Sequence, residues 1–106
     1  MSAKPVEALE VVQADLEYAR SFYESWKHGG GEEILRKYFE AVEWIEWNPD
    51  LFPRKLGIVQ RVILKRSYFV VYFIQEEGRS IILAVLDGRP NPRVIRKLIT
   101  TRRKSA

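Results

Sequence analysis

Apolar positions in the first half of the chain recur at intervals of three and four. Leu16, Ala19, Tyr23 and Trp26 fall on one stripe; Leu35, Tyr38, Val42 and Ile45 fall on another, widened by Phe39 and Ala41. This spacing predicts two amphipathic helices, the first over about residues 15–27 and the second ending at Trp47. Lys27 and His28 suit the negative C-terminal pole of the first helix, with His28 read as a capping residue, and Gly29 can take the left-handed cap. Gly29-Gly30-Gly31 reverses the chain, and Glu32 and Glu33 favour the positive start of the second helix. The glycines are not a phosphate loop, because they follow a helix and no Gly-Lys-Ser/Thr comes after them. Asn48-Pro49 stops the second helix, since proline restrains its predecessor and cannot extend the hydrogen-bond ladder. The product is a helical hairpin.

Elsewhere the period is two. Val6 to Val12 reads as a first strand, with Glu7 and Glu10 toward water. In Ile58 to Arg66, the residues Ile58, Val62 and Leu64 share one face, while Arg61, Ile63 and Lys65 share the other. Tyr68 to Ile74 and Ile81 to Leu86 are apolar on both faces, as central strands are, and Glu76-Glu77-Gly78-Arg79 makes the turn between them. The last three strands form an antiparallel meander. Asn91 is a good N-cap and Pro92 a good first helical residue, so a short basic helix is expected to about Thr101, packing Val94 and Leu98 on the sheet. The order β-α-α-β-β-β-α predicts an α+β fold: a helical hairpin and a mostly antiparallel four-stranded sheet with the helices on one face.

The 106 residues suit a single domain, spanning 1–106, with flexible ends at 1–4 and 102–106. The chain has no cysteine and one histidine, which removes disulfides and thiolate zinc sites and makes a metal cluster improbable. No cofactor and no metal are expected. The longest apolar run, Tyr68 to Ile74, is far short of the roughly 18 residues that span a bilayer. Met1 to Pro5 carries no hydrophobic signal region, so a cytoplasmic location with no membrane partner is the default expectation. The net charge of +4 conceals a division: residues 1–50 carry 11 acids and 5 bases, residues 51–106 carry 3 acids and 13 bases. A basic face of that kind suits a polyanion or an acidic protein.

The helix stop Asn48-Pro49-Asp50-Leu51-Phe52-Pro53 leads to the basic strand around Arg61 and the aromatic strand Tyr68 to Phe73. The aliphatic strand Ile81 to Leu86 and the turn Asp87-Gly88-Arg89-Pro90-Asn91-Pro92-Arg93 follow. In that order the chain resembles the RelE/ParE toxin superfamily of bacterial type II toxin–antitoxin modules (the plasmid stabilization protein type). The resemblance spans nearly the whole chain and rests on the ordered combination rather than one motif. It implies the α+β arrangement already read from the pattern. It also implies one of two activities: ribosome-dependent cleavage of messenger RNA without a metal, or inhibition of DNA gyrase by binding.

For the nuclease alternative the resemblance points to Arg61, Lys65 and Arg89. Arg61 and Arg89 would hold phosphate, and Lys65 would act as a base if neighbouring cations lower its pKa. Two departures count against it: Asp87 stands where relatives often carry histidine, and no Tyr, Trp, Phe or His follows Phe73. The helix stop and the aromatic strand look nearer the ParE branch, whose members are not enzymes; there Arg89, Arg93, Arg96 and Lys97 are the expected target contacts. Trp26 is expected in the core, while Trp44 and Trp47, with Phe52, are expected to form a protein-contact patch for an antitoxin or a homodimer. Implied partners are a cognate acidic antitoxin and DNA gyrase, or alternatively the ribosome and mRNA, with operator DNA reached only through the antitoxin. An inactive orphan member that only binds an antitoxin-like protein is the third reading.

Overall fold

In the computed structural model, which describes residues 3–105, the two helical stripes become α1 (Val12–Trp26) and α2 (Gly30–Trp47). The link between them is three residues, closed by Lys27 N–H to Tyr23 C=O at 3.1 Å and Gly30 N–H to Lys27 C=O at 2.8 Å. Gly29 sits at φ +87°, the left-handed conformation that only glycine adopts cheaply. The Glu24 carboxylate, still on α1, accepts from Gly31 N–H at 3.0 Å and Gly29 N–H at 3.2 Å, and so caps the start of α2. These backbone donors, Gly31 first, hold Glu24 below the ordinary carboxylate range.

The α1 stripe lies where the pattern places it, with Val12 and Ala19 buried and Leu16 and Tyr23 packed against the core, but Trp26 is 65% exposed. Its ring lies at the surface against Phe22 and Tyr68. On α2 the buried line is Ile34, Tyr38, Ala41 and Ile45; Leu35 and Val42 flank it, and Phe39 faces water. The reason lies at the start of the helix. Gly30 and Gly31 are pressed against α1, where a Cβ on Gly30 would run into the Tyr23 carbonyl and one on Gly31 would come within 2.7 Å of Arg20 Cγ. That contact sets the rotation of the whole helix.

The first strand, β1 (Val6–Ala8), is shorter than expected. A turn closed by Val12 N–H to Leu9 C=O at 2.9 Å ends it and starts α1 early, burying Val12. The sheet has five strands in the order β1-β5-β4-β3-β2, one more than the pattern predicts. The additional strand is β2 (Arg54–Leu56), followed by β3 (Val59–Ile63), β4 (Phe69–Glu76) and β5 (Arg79–Asp87). β1 is parallel to β5 and every other pairing is antiparallel. Because Leu56 pairs with Val59, Gly57 and Ile58 form the turn; Val59 is buried and Ile58, expected inside, is exposed. Buried Gln60 donates from its amide to Pro49 C=O at 2.8 Å and Phe52 C=O at 2.9 Å, which pins the turn after α2 to the sheet.

Alternation along β4 divides its side chains between two cores. Phe69, Val71 and Phe73 join α1 and α2; Val70, Tyr72 and Ile74 join α3 (Pro92–Arg103). The helices therefore cover both faces of the sheet, not one. A bulge at Leu83 (Tyr72 pairs Ala84, Phe73 pairs Ile82) lets Leu83 and Ala84 both join the α3 side while Ile82 and Val85 stay with the hairpin. Asn91 Oδ1 accepts from Arg93 N–H at 2.8 Å with Pro92 in the first turn, as the sequence predicts. The buried residues of α3 are Ile95 and Ile99 rather than Val94 and Leu98, which are 61% and 37% exposed. Arg102 and Arg103, expected to be loose, form its last turn; the expectation for Met1, Ser2 and Ala106 lies outside the described residues.

Candidate interaction surface around the C-terminal helix

α3 lies between two clefts of opposite character. On one side Lys55 of β2, Arg61 of β3, Tyr72 of β4 and Arg96 of α3 surround a cleft of about 290 Å³, walled by Pro90 and Pro92. Arg61 and Tyr72 are direct cross-strand partners, which is why both point here. None of the three cations forms an ion pair among the described residues. Burial pushes the Tyr72 hydroxyl above its ordinary pKa, against the opposing pull of Arg61, so it stays protonated at neutral pH. The cleft can hold an anion by charge and one hydroxyl.

On the other side Val11, Tyr18, Phe69, Val85, Val94 and Leu98 line an apolar cleft of about 420 Å³ between α1 and α3. Asp15 and Arg102 close one end of it. Arg102 reaches both Asp15 oxygens, at 2.5 and 2.9 Å, and donates to Leu83 C=O at 3.1 Å. Asp15 also accepts from Val85 N–H at 3.0 Å. The exposed residues Val94 and Leu98 are thus the helix wall of a groove, not failed core positions.

The three residues of the nuclease alternative are not brought together. Arg61 lines the cationic cleft. Lys65 lies past the end of β3, beside a separate depression with Lys37, Trp44 and Ile63, because the hairpin turns at Arg66 with φ +58°. Arg89 is held elsewhere: Asp87 takes its Nε at 3.0 Å and an Nη at 2.6 Å, while its guanidinium stacks 3.7 Å from the Tyr68 ring centre. Asp87 is thus the partner of the arginine two residues on. Arg93, Arg96 and Lys97 are exposed along α3. Sequence reading missed Lys55 and Tyr72, although the Arg61–Tyr72 face could have been inferred from the meander register. It also missed Val11, Tyr18, Asp15 and Arg102, whose juxtaposition is wholly tertiary.

No protein-family model matches the chain, and no curated protein matches it in sequence. The structure is similar to a chain of the chromosomal ParDE TA system from P. aeruginosa, with a TM-score of 0.66 and 17% identity over 78% of this chain and 94% of that one. The likeness is one of fold. It agrees with the α+β arrangement that the resemblance to RelE/ParE toxins implied, and it does not select a branch of them.

Trp44 and Trp47 are 54% and 57% exposed on the outer face of α2, ring centres 5.6 Å apart at 83°, beside Glu43. Phe52, expected to join them, is half-buried with its ring edge-on to Phe73 at 6.1 Å. It belongs to the hairpin core. Among the described residues, no group of three His, Cys, Asp or Glu could hold a metal ion, and no helix is long and apolar enough to cross a membrane.

Proposed function

We propose that this chain is the toxin of a type II toxin–antitoxin module, nearer the ParE branch, and that it acts by binding a target rather than by cutting RNA. The observation that carries this reading is the engagement of Arg89 by Asp87 and Tyr68, together with the placement of Arg61 and Lys65 beside different depressions. Catalytic groups act as a unit, and a dispersed set supplies neither the base nor the acid of phosphodiester cleavage. In this reading α3 presents Arg93, Arg96 and Lys97 to DNA gyrase, while Arg89 supports the turn that aims the helix. An acidic, amphipathic segment of a cognate antitoxin occupies the apolar cleft, with the cations of α3 beside it. Operator DNA is reached through that antitoxin, in the cytoplasm.

Precursor labelling after inducing the chain alone in bacteria tests the proposal. An early fall in DNA synthesis supports it, and charge reversal at Arg93 and Arg96 should then abolish the effect. One observation favours a second reading, ribosome-dependent endoribonuclease: the unpaired cations Lys55, Arg61 and Arg96 around Tyr72. An early fall in protein synthesis, lost on Arg61→Ala, would select it. If neither synthesis falls while folded protein accumulates, the chain is an orphan member that only binds a partner.

A further inference from the structure

The sequence of α2 contains a short repeat that the fold does not use. Glu40 precedes Trp44 by four residues, and Glu43 precedes Trp47 by four. On a helix that spacing stacks each carboxylate one turn below an indole, on the same face. Both indoles lie on the outside of the molecule, edge to face, in a depression of about 330 Å³ lined by themselves and Glu43. Glu40 is engaged by Arg36, whereas Glu43 and the neighbouring Glu46 form no ion pair among the described residues. The depression the two indoles share therefore carries Glu43 and no cation, while Trp44 also borders a second depression with Lys37, Ile63 and Lys65.

An indole face attracts a cation through its quadrupole, and an adjacent carboxylate adds charge attraction and an acceptor. We infer that the Trp44–Trp47 ledge, with Glu43, is a binding site for arginine side chains of a basic protein segment. Guanidinium fits better than ammonium, since its plane can lie on an indole while its in-plane N–H groups reach the Glu43 carboxylate. The same chemistry rejects an acidic occupant, so the site is separate from the apolar cleft proposed for an antitoxin. It stands whether or not the chain is a toxin. The third indole makes the contrast internal to the molecule: Trp26 is as exposed, but its depression holds Lys27, Lys37 and Arg66 with Glu33, whereas the one shared by Trp44 and Trp47 holds Glu43 and no cation.

The full chain, labelled with ¹⁵N, has three tryptophan indole N–H signals, and the test is their response to a hexa-arginine peptide at low salt. The Trp44 and Trp47 signals should move together and saturate, the Trp26 signal should stay, and added salt should weaken the effect. Trp44→Ala with Trp47→Ala should reduce affinity at least about tenfold, judged by competition with a labelled peptide. Glu43→Gln keeps both rings and should weaken binding in the same direction, so the site is tested even if the double alanine variant misfolds. Equal movement of Trp26, no movement at all, or an equal response to hexaglutamate would overturn the assignment. So would movement on raising protein concentration alone, which would make a second copy the occupant.

Discussion

Asp15 and Arg102 stand 87 positions apart and share a bidentate ion pair, with side chains 9% and 12% exposed. The pair ties the first turn of α1 to the last turn of α3. Through Val85 N–H and Leu83 C=O it also ties both to the bulged part of β5. Removing one member leaves a largely buried charge without its partner. Arg102→Ala should cost about 3 kcal/mol in urea unfolding, and the amides of α3 should exchange fastest in the variant. An unchanged unfolding midpoint would mean that the helix is held by Ile95 and Ile99 alone.

Arg66 occupies the left-handed region at φ +58° in the loop between β3 and β4. Glycine meets no Cβ clash there. Arg66→Gly should stabilise the fold by about 0.5–1 kcal/mol, the relief of strain exceeding the extra freedom given to the unfolded chain. A loss of stability would show that the arginine side chain contributes more than its backbone costs.

The glycines of the α1–α2 link should respond differently to alanine. Gly29 has open space around its missing Cβ and only its positive φ at stake, whereas Gly30 abuts the Tyr23 carbonyl. Gly29→Ala should cost roughly 1 kcal/mol and Gly30→Ala about 2–3 kcal/mol, the latter by pushing the helices apart. Thermal melts of the two variants side by side would rank them.

Acid stability should depend on two carboxylates. Hydrogen bonding from the Arg89 side chain, ahead of the other contributions, holds Asp87 below its ordinary 3.8, and Gly31 N–H holds Glu24 below 4.5. A depressed folded pKa means that the unfolded state binds the proton more readily. The contribution is therefore complete above the unfolded values and lost as pH falls through the folded ones. Asp87→Asn and Glu24→Gln should each flatten the fall of the urea midpoint below about pH 4. A variant as acid-sensitive as the parent would remove its carboxylate from the account.

Much of the fold was legible because periodicity reports which face is buried. It could not report how far a helix is turned. Val94 with Leu98 and Ile95 with Ile99 have the same spacing, and the direction in which Pro90 to Pro92 deliver the chain decides between them. On α2, contact of Gly30 and Gly31 with α1 selects Ile34 and Ala41 over Leu35 and Phe39. β2 escaped notice because three residues, two of them basic, carry no alternation to read. The candidate surface was half legible. Arg93, Arg96 and Lys97 are visible as charge; the Asp87–Arg89 pair is only two residues apart and could have been seen. Asp15 with Arg102, and the apolar cleft beside them, exist only once the chain is closed.

The parallel pairing of β1 with β5 has a consequence in time. Val6 meets Ser80, so the first strand must wait for most of the chain before it has a partner. The α1–α2 hairpin needs only its own residues and can form early, whereas the sheet edge depends on closing a loop of some seventy residues. During synthesis the molecule should pass through a state with a helical hairpin, an unseated N-terminal segment and no α3. Asp15 would wait uncovered in that state, and the groove would be one wall short until the final turn emerged.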